Sequence, residues 1–129
     1  MNNRGQVVGS SDLAGDAVFH GFVWNRSTGM QDIPPVPGDT YSAALAINDR
    51  GVVTGVSIDS TFTTLHAFVV VDGVPTDLNT LISPDSPLQL QAACGINSRG
   101  EITGLAVEKS TGQYRGYLAI PVAGVNSGR

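Results

Sequence analysis

The chain has 129 residues, of which 41% are apolar and 14% charged, with 16 glycines and a net charge of −4. That length gives one domain with a real core, and the acidic balance excludes a nucleic-acid backbone as partner, which needs a basic stripe. The single cysteine, Cys94, excludes an internal disulfide and a cysteine zinc cluster, and no apolar run approaches the ~20 residues of a bilayer span.

In chain order, the first landmark is the opening itself. Met1-Asn2-Asn3-Arg4-Gly5 returns as Ile47-Asn48-Asp49-Arg50-Gly51 and again as Ile96-Asn97-Ser98-Arg99-Gly100. The first residues already belong to a repeat and lack the apolar stretch of a signal peptide. From each of those glycines, a second landmark follows at one offset (5 to 20, 51 to 66, 100 to 115): His20-Gly21-Phe22, His66-Ala67-Phe68 and Arg115-Gly116-Tyr117. Two landmarks at a fixed offset, three times over, define a repeat architecture. The repeats run over about 1–41, 42–90 and 91–122 as a single domain, with 123–129 as a tail.

The first repeat supplies Val18 to Trp24, whose His20, Phe22 and Trp24 share one strand face, with Phe19, Gly21 and Val23 on the other. Both faces are apolar, so Trp24 reads as core. The middle repeat is complete. Ser42 to Asn48 reads as a strand, Asn48-Asp49-Arg50-Gly51 as a turn, and Val52 to Ile58 as a second strand. A polar loop, Asp59 to Thr64, leads to a third strand, Leu65 to Val71; Asp72-Gly73 turns the chain into a weaker fourth, Val74 to Leu78, which Pro75 marks as an edge. The third repeat follows the same order, and Cys94, within Ala92-Ala93-Cys94-Gly95, reads as a small buried hydrophobe.

The turn words have a geometric explanation. Asn-x-Arg-Gly suits a type I turn with a glycine bulge: the asparagine side chain caps the turn and the glycine takes positive φ. Asn2, Asn48 and Asn97, with Gly5, Gly51 and Gly100, are therefore structural turn residues. A further glycine four positions on (Gly9, Gly55, Gly104) lies inside a strand, which calls for the close approach of a neighbour. On the third strand, His66, Phe68 and Val70 face one way and Leu65, Ala67, Val69 and Val71 the other. Sheets apolar on both faces need cover on both sides. The fold class is therefore all-β, built from propeller-type blades of four-stranded antiparallel meanders, with the first and last incomplete. A β-trefoil or β-prism closed within one chain is the alternative.

The words INDRG, LHAFVV and TDLNTL resemble the bacterial HAF repeat, across Met1 to about Val122. The His-Ala-Phe triplet itself is literal only at His66-Ala67-Phe68; His20 and Phe22, and Arg115 and Tyr117, hold the matching positions. The resemblance implies a propeller-like protein of the bacterial cell surface or exterior and carries no established activity.

Three blades cannot close a ring, since propellers hold four to eight. Either two chains close a six-bladed ring as a homodimer, or the chain continues in a longer array.

Little here points to chemistry. The two histidines occupy equivalent places one repeat apart, and neither a nucleophile motif nor a phosphate loop is present. Asp12, Asp16 and Asp59 are the candidate ligands for a metal, calcium being the ion such a set would take. Asp32 and Asp77 recur at matching places and read as strand-end bonds. Trp24 and Tyr41 are the candidate aromatic platforms for a sugar. The reading is thus a non-enzymatic repeat module for binding or scaffolding, with a protein or glycan as ligand and no catalytic residue assigned. The alternative is a carbohydrate-active hydrolase or lyase whose site forms at a propeller channel between chains.

Overall fold

The structure is a computed structural model that describes residues 1–12 and 18–121. Among the described residues ten strands form three antiparallel sheets. The first sheet holds β1 (Val7–Asp12), β2 (Phe19–Asn25) and β3 (Gly29–Ile33) in that order. The middle sheet holds β4 (Tyr41–Ile47), β5 (Val53–Ile58), β6 (Leu65–Val71) and β7 (Val74–Asp77). The third holds β8 (Leu88–Ile96), β9 (Ile102–Glu108) and β10 (Tyr114–Ala119). Among the described residues the chain is all-β apart from one 3-10 turn, Leu78–Leu81, that follows β7 with Asp77 as its cap.

The alternation along β6 explains how the sheets stack. Phe68 joins Ile33, Val36, Ala44, Ile47 and Val53 in one apolar cluster, against Val8 and Val23 of the first sheet. Ala67 and Val69, on the opposite face, join Leu78, Leu90, Ala93, Ile102 and Ala106 in a second cluster against the third sheet. Burying Phe68 completely stabilises the fold by about 2–3 kcal/mol. The middle sheet is thus buried on both of its faces.

Among the described residues only the middle sheet is enclosed in this way, and this corrects two expectations. Trp24 is 40% exposed, because it lies on the face of the first sheet that points away from the middle one. Cys94 is exposed. The register of β8 against β9 shifts between Ala93 and Gly95, so Ala93 turns into the core while Cys94 is left outside the ladder. Leu78 also departs from expectation: it belongs to the 3-10 turn and plugs the core between the middle and third sheets.

The strand glycines meet their neighbours inside their own sheets. A β-carbon on Gly55 would overlap the Ala43 carbonyl oxygen, and one on Gly104 would overlap that of Ala92. The rings of Phe68 and Tyr117 lie over these same two glycines, and the ring of Phe22 over Gly9. This explains why the glycine and the aromatic landmark travel together in every repeat.

Candidate functional site

A meander places its connections at alternate ends. The Asn-x-Arg-Gly turns lie at one end of the stack, and the loop between β5 and β6 at the other.

At the turn end, each asparagine works twice. Asn48 Oδ1 accepts from the amides of Arg50 and Val52 at 3.0 and 2.9 Å, closing its own turn. Gly51 closes the same turn at φ 84°, its amide donating to the Asn48 carbonyl. Asn2 and Asn97 cap their turns in the same manner. The side-chain amide then reaches into the next repeat. Asn2 Nδ2 donates to the Asn48 carbonyl at 2.8 Å, and Asn48 Nδ2 to the Asn97 carbonyl at 3.0 Å. The turns are thus rungs of one ladder across three sheets. Asn3 adds bonds from its backbone and side-chain nitrogens to the two oxygens of Asp49, at 2.8 and 3.0 Å.

Beside this ladder a cavity of about 250 Å³ opens between the middle and third sheets. Its wall is apolar, with Val52, Val69, Leu78, Ile96 and Ile102, and its charged members are Arg50 and Arg99. Such a groove can hold a small apolar group that carries an acid.

The second landmark of every repeat pairs with a carboxylate drawn from a different place. His20 Nδ1 meets Asp32 Oδ1 at 2.8 Å, His66 Nδ1 meets Asp39 Oδ2 at 2.8 Å, and Arg115 Nε meets Glu108 Oε2 at 3.2 Å. Asp39 is almost fully buried and also accepts from the Ser57 hydroxyl at 2.7 Å. Ser57 in turn accepts from the Val36 amide at 3.0 Å. The carboxylate stands between serine and histidine, so the histidine is not placed to take the hydroxyl proton, and the trio ties the linker before β4 to the sheet. A hydrogen bond from Thr111, then one from Arg115, holds the Glu108 carboxyl below its usual range. Burial pushes the Tyr117 hydroxyl up; that hydroxyl donates to the Ala92 carbonyl at 2.8 Å.

At the loop end, three rings from three elements stack. Phe19 and Tyr41 lie 4.9 Å apart between ring centres, and Tyr41 and Phe62 lie 4.5 Å apart. Phe62 is exposed and stands at φ 59°, a strained position for an aromatic residue. Asp59 holds that loop: its oxygens accept from the Thr63 and Thr64 amides and from the Thr61 and Thr63 hydroxyls. The carboxylate is committed to its own loop. Asp12 ends β1 opposite Phe19, and Asp16 and the tail 123–129 lie outside the described residues. Among the described residues no three His, Cys, Asp or Glu side chains gather as a metal set. No helix of the described chain is long and apolar enough to cross a membrane.

Several of these contacts escape a reading of the sequence. Asn79 makes a two-way bond with Leu90 of β8, donating at 2.9 Å and accepting at 2.8 Å. Ser42 accepts from Gly21 N at 2.9 Å and donates to the Ile33 carbonyl at 2.6 Å, joining the first two sheets. Phe62 left one signal: an aromatic in an otherwise polar loop, with no counterpart in the other repeats.

Fold and site together define an all-β repeat array of face-stacked antiparallel sheets, stitched at one end by an asparagine ladder. Compared with protein-family models, with curated proteins and with solved structures, the chain finds no match in any of the three.

Proposed function

We propose that the chain is a non-enzymatic repeat module, of the HAF-repeat kind, that scaffolds and binds in a bacterial extracellular or cell-surface protein. Its sheets are propeller-type blades. The asparagine ladder carries this reading: the residues repeated most faithfully are engaged in fixing one blade to the next, as a scaffold requires. Ligand contact falls to what is not repeated, the loop end where Phe19, Tyr41 and Phe62 stack. The exposed Phe62 ring, backed by the half-buried rings of Tyr41 and Phe19, suits a glycan ring or the side chains of a protein partner.

Three blades leave the ring open. Two copies of the chain complete six blades as a homodimer; further repeats of a longer chain would complete it otherwise. Light scattering on a sizing column, across a range of concentrations, tests the dimer. A mass of two chains persisting at low micromolar concentration is the expected result. A well-folded monomer at every concentration overturns it.

A further inference from the structure

The two outer faces of the array are the same two faces that are joined inside it. On the middle sheet, Val56, Ala67 and Val69 face the third sheet and are covered by it. The matching positions on the third sheet are Leu105, Gly116 and Leu118, and here both leucines are open to solvent, Leu118 at 59%. On the opposite side of the middle sheet, Phe68 and Val70 face the first sheet and pack against it. Their counterparts in the first sheet are Phe22 and Trp24. Trp24 is exposed, as is Met30, its partner across the strands. The chain therefore carries one face that accepts a following sheet and one that accepts a preceding sheet, and among the described residues neither is covered.

The ladder is unfinished in the matching sense. Both hydrogens of the Asn2 side-chain amide are engaged, one by Gln6 Oε1 at 2.7 Å and one by the Asn48 carbonyl. Among the described residues the Asn97 amide bonds only Glu101 Oε1, at 2.6 Å, which leaves its second hydrogen without a partner there. At the other end, among the described residues the Asn2 carbonyl accepts only from Gly5 of its own turn, at 3.3 Å, where the Asn48 and Asn97 carbonyls each accept from a preceding asparagine as well.

We infer that the third sheet of one copy packs on the first sheet of a second copy, and that Asn97 of the one donates to the Asn2 carbonyl of the other. The occupant is a second copy because both halves of the seam are present on one chain, and because the seam continues an interface that the chain already forms twice. The contact is heterologous: unlike faces meet, and two such seams close a pair of chains. This rests on the assembly reading above and names the faces, the register and the bond that it uses.

The test replaces one residue on each face. Leu118→Glu places a charge on the third sheet's open face and Trp24→Glu one on the first sheet's; both sites are exposed, and circular dichroism checks that each variant folds. Leu105→Glu serves if Leu118→Glu does not fold. Each variant alone is expected to raise the dissociation constant of the pair on the order of a hundredfold, by burying an unpaired charge. A one-to-one mixture of the two retains one intact seam, and at a few hundred micromolar it is expected to recover a mass of two chains. Folded variants that pair as tightly as the unaltered chain overturn the seam and leave assembly standing. Loss of pairing in one variant only points to like faces meeting, and also overturns it. A mixture that stays monomeric does the same. An unaltered chain that is monomeric throughout overturns seam and assembly together.

Discussion

The carbonyl oxygen of Ala43 occupies the place where a β-carbon on Gly55 would stand, and the Phe68 ring closes on the same point at 2.8 Å. Gly55→Ala must therefore move backbone or expel a core ring. We expect a loss of about 3 kcal/mol, at the upper end of overpacking costs, and the same for Gly104→Ala. Gly9→Ala meets only the Phe22 ring, at 3.0 Å and on an open face, where the ring can yield. Its loss should be under about 1 kcal/mol. Urea unfolding of the three variants checks the order; equal losses would refute the account.

Thr54 is fully buried, and its hydroxyl has no hydrogen-bond partner among the described residues. The matching position in the first repeat is Val8, which packs in the apolar cluster. Thr54→Val keeps the shape and removes the unpaired group. It should stabilise the chain by about 1 kcal/mol, seen as a higher melting temperature. A lower one would mean that the hydroxyl has a partner after all.

Substitutions at Asn48 separate the turn from the rung. Asn48→Asp retains an oxygen for the Arg50 and Val52 amides and loses the donor to the Asn97 carbonyl. Asn48→Ala loses all three bonds. We expect about 2–3 kcal/mol for alanine, since Asn48 is buried and two backbone amides are left unpaired. Chemical denaturation should place aspartate, above its pKa, at a comparable loss, because a carboxylate then faces a carbonyl oxygen. Lowering the pH through that pKa should recover part of the aspartate loss and none of the alanine loss.

The Thr63 hydroxyl bond is the main cause that holds the Asp59 carboxyl down to about 2, against some desolvation and with help from the Thr64 and Thr63 amides and the Thr61 hydroxyl. The folded value lies below the ordinary 3.8. The stability it contributes is therefore complete above about pH 4 and is lost as the pH falls through about 2. An NMR titration of the Asp59 side chain should show that midpoint, and Thr63→Ala should move it upward. An unshifted midpoint in the parent chain would count against the loop geometry.

Much of the fold was legible because repetition multiplies weak signals. A single Asn-x-Arg-Gly is an ordinary turn; three of them at one offset from an aromatic strand fix the order of the strands. Two-faced apolar alternation on Leu65–Val71 likewise announced a sheet enclosed on both sides. Neighbour relations were not legible. Nothing in the residues around Trp24 says that its sheet is the outer one, so its apolar character read as burial. Cys94 misled for a local reason, a register shift in β8 that small residues such as Ala93 and Gly95 permit without announcing it. The aromatic stack was hidden because its members stand far apart in sequence and only the packing of the first sheet on the second brings Phe19 to Tyr41.

The ladder's acceptor is always a main-chain carbonyl and its donor always an asparagine held by its own turn. Distance along the chain between rungs does not enter: 46 residues separate one pair and 49 the next. Loops at the far end can therefore lengthen, shorten or change composition while the sheets keep their alignment. The alignment of the sheets and the make-up of the far loops are written in different residues, and such an array could change those loops without relearning how to fold.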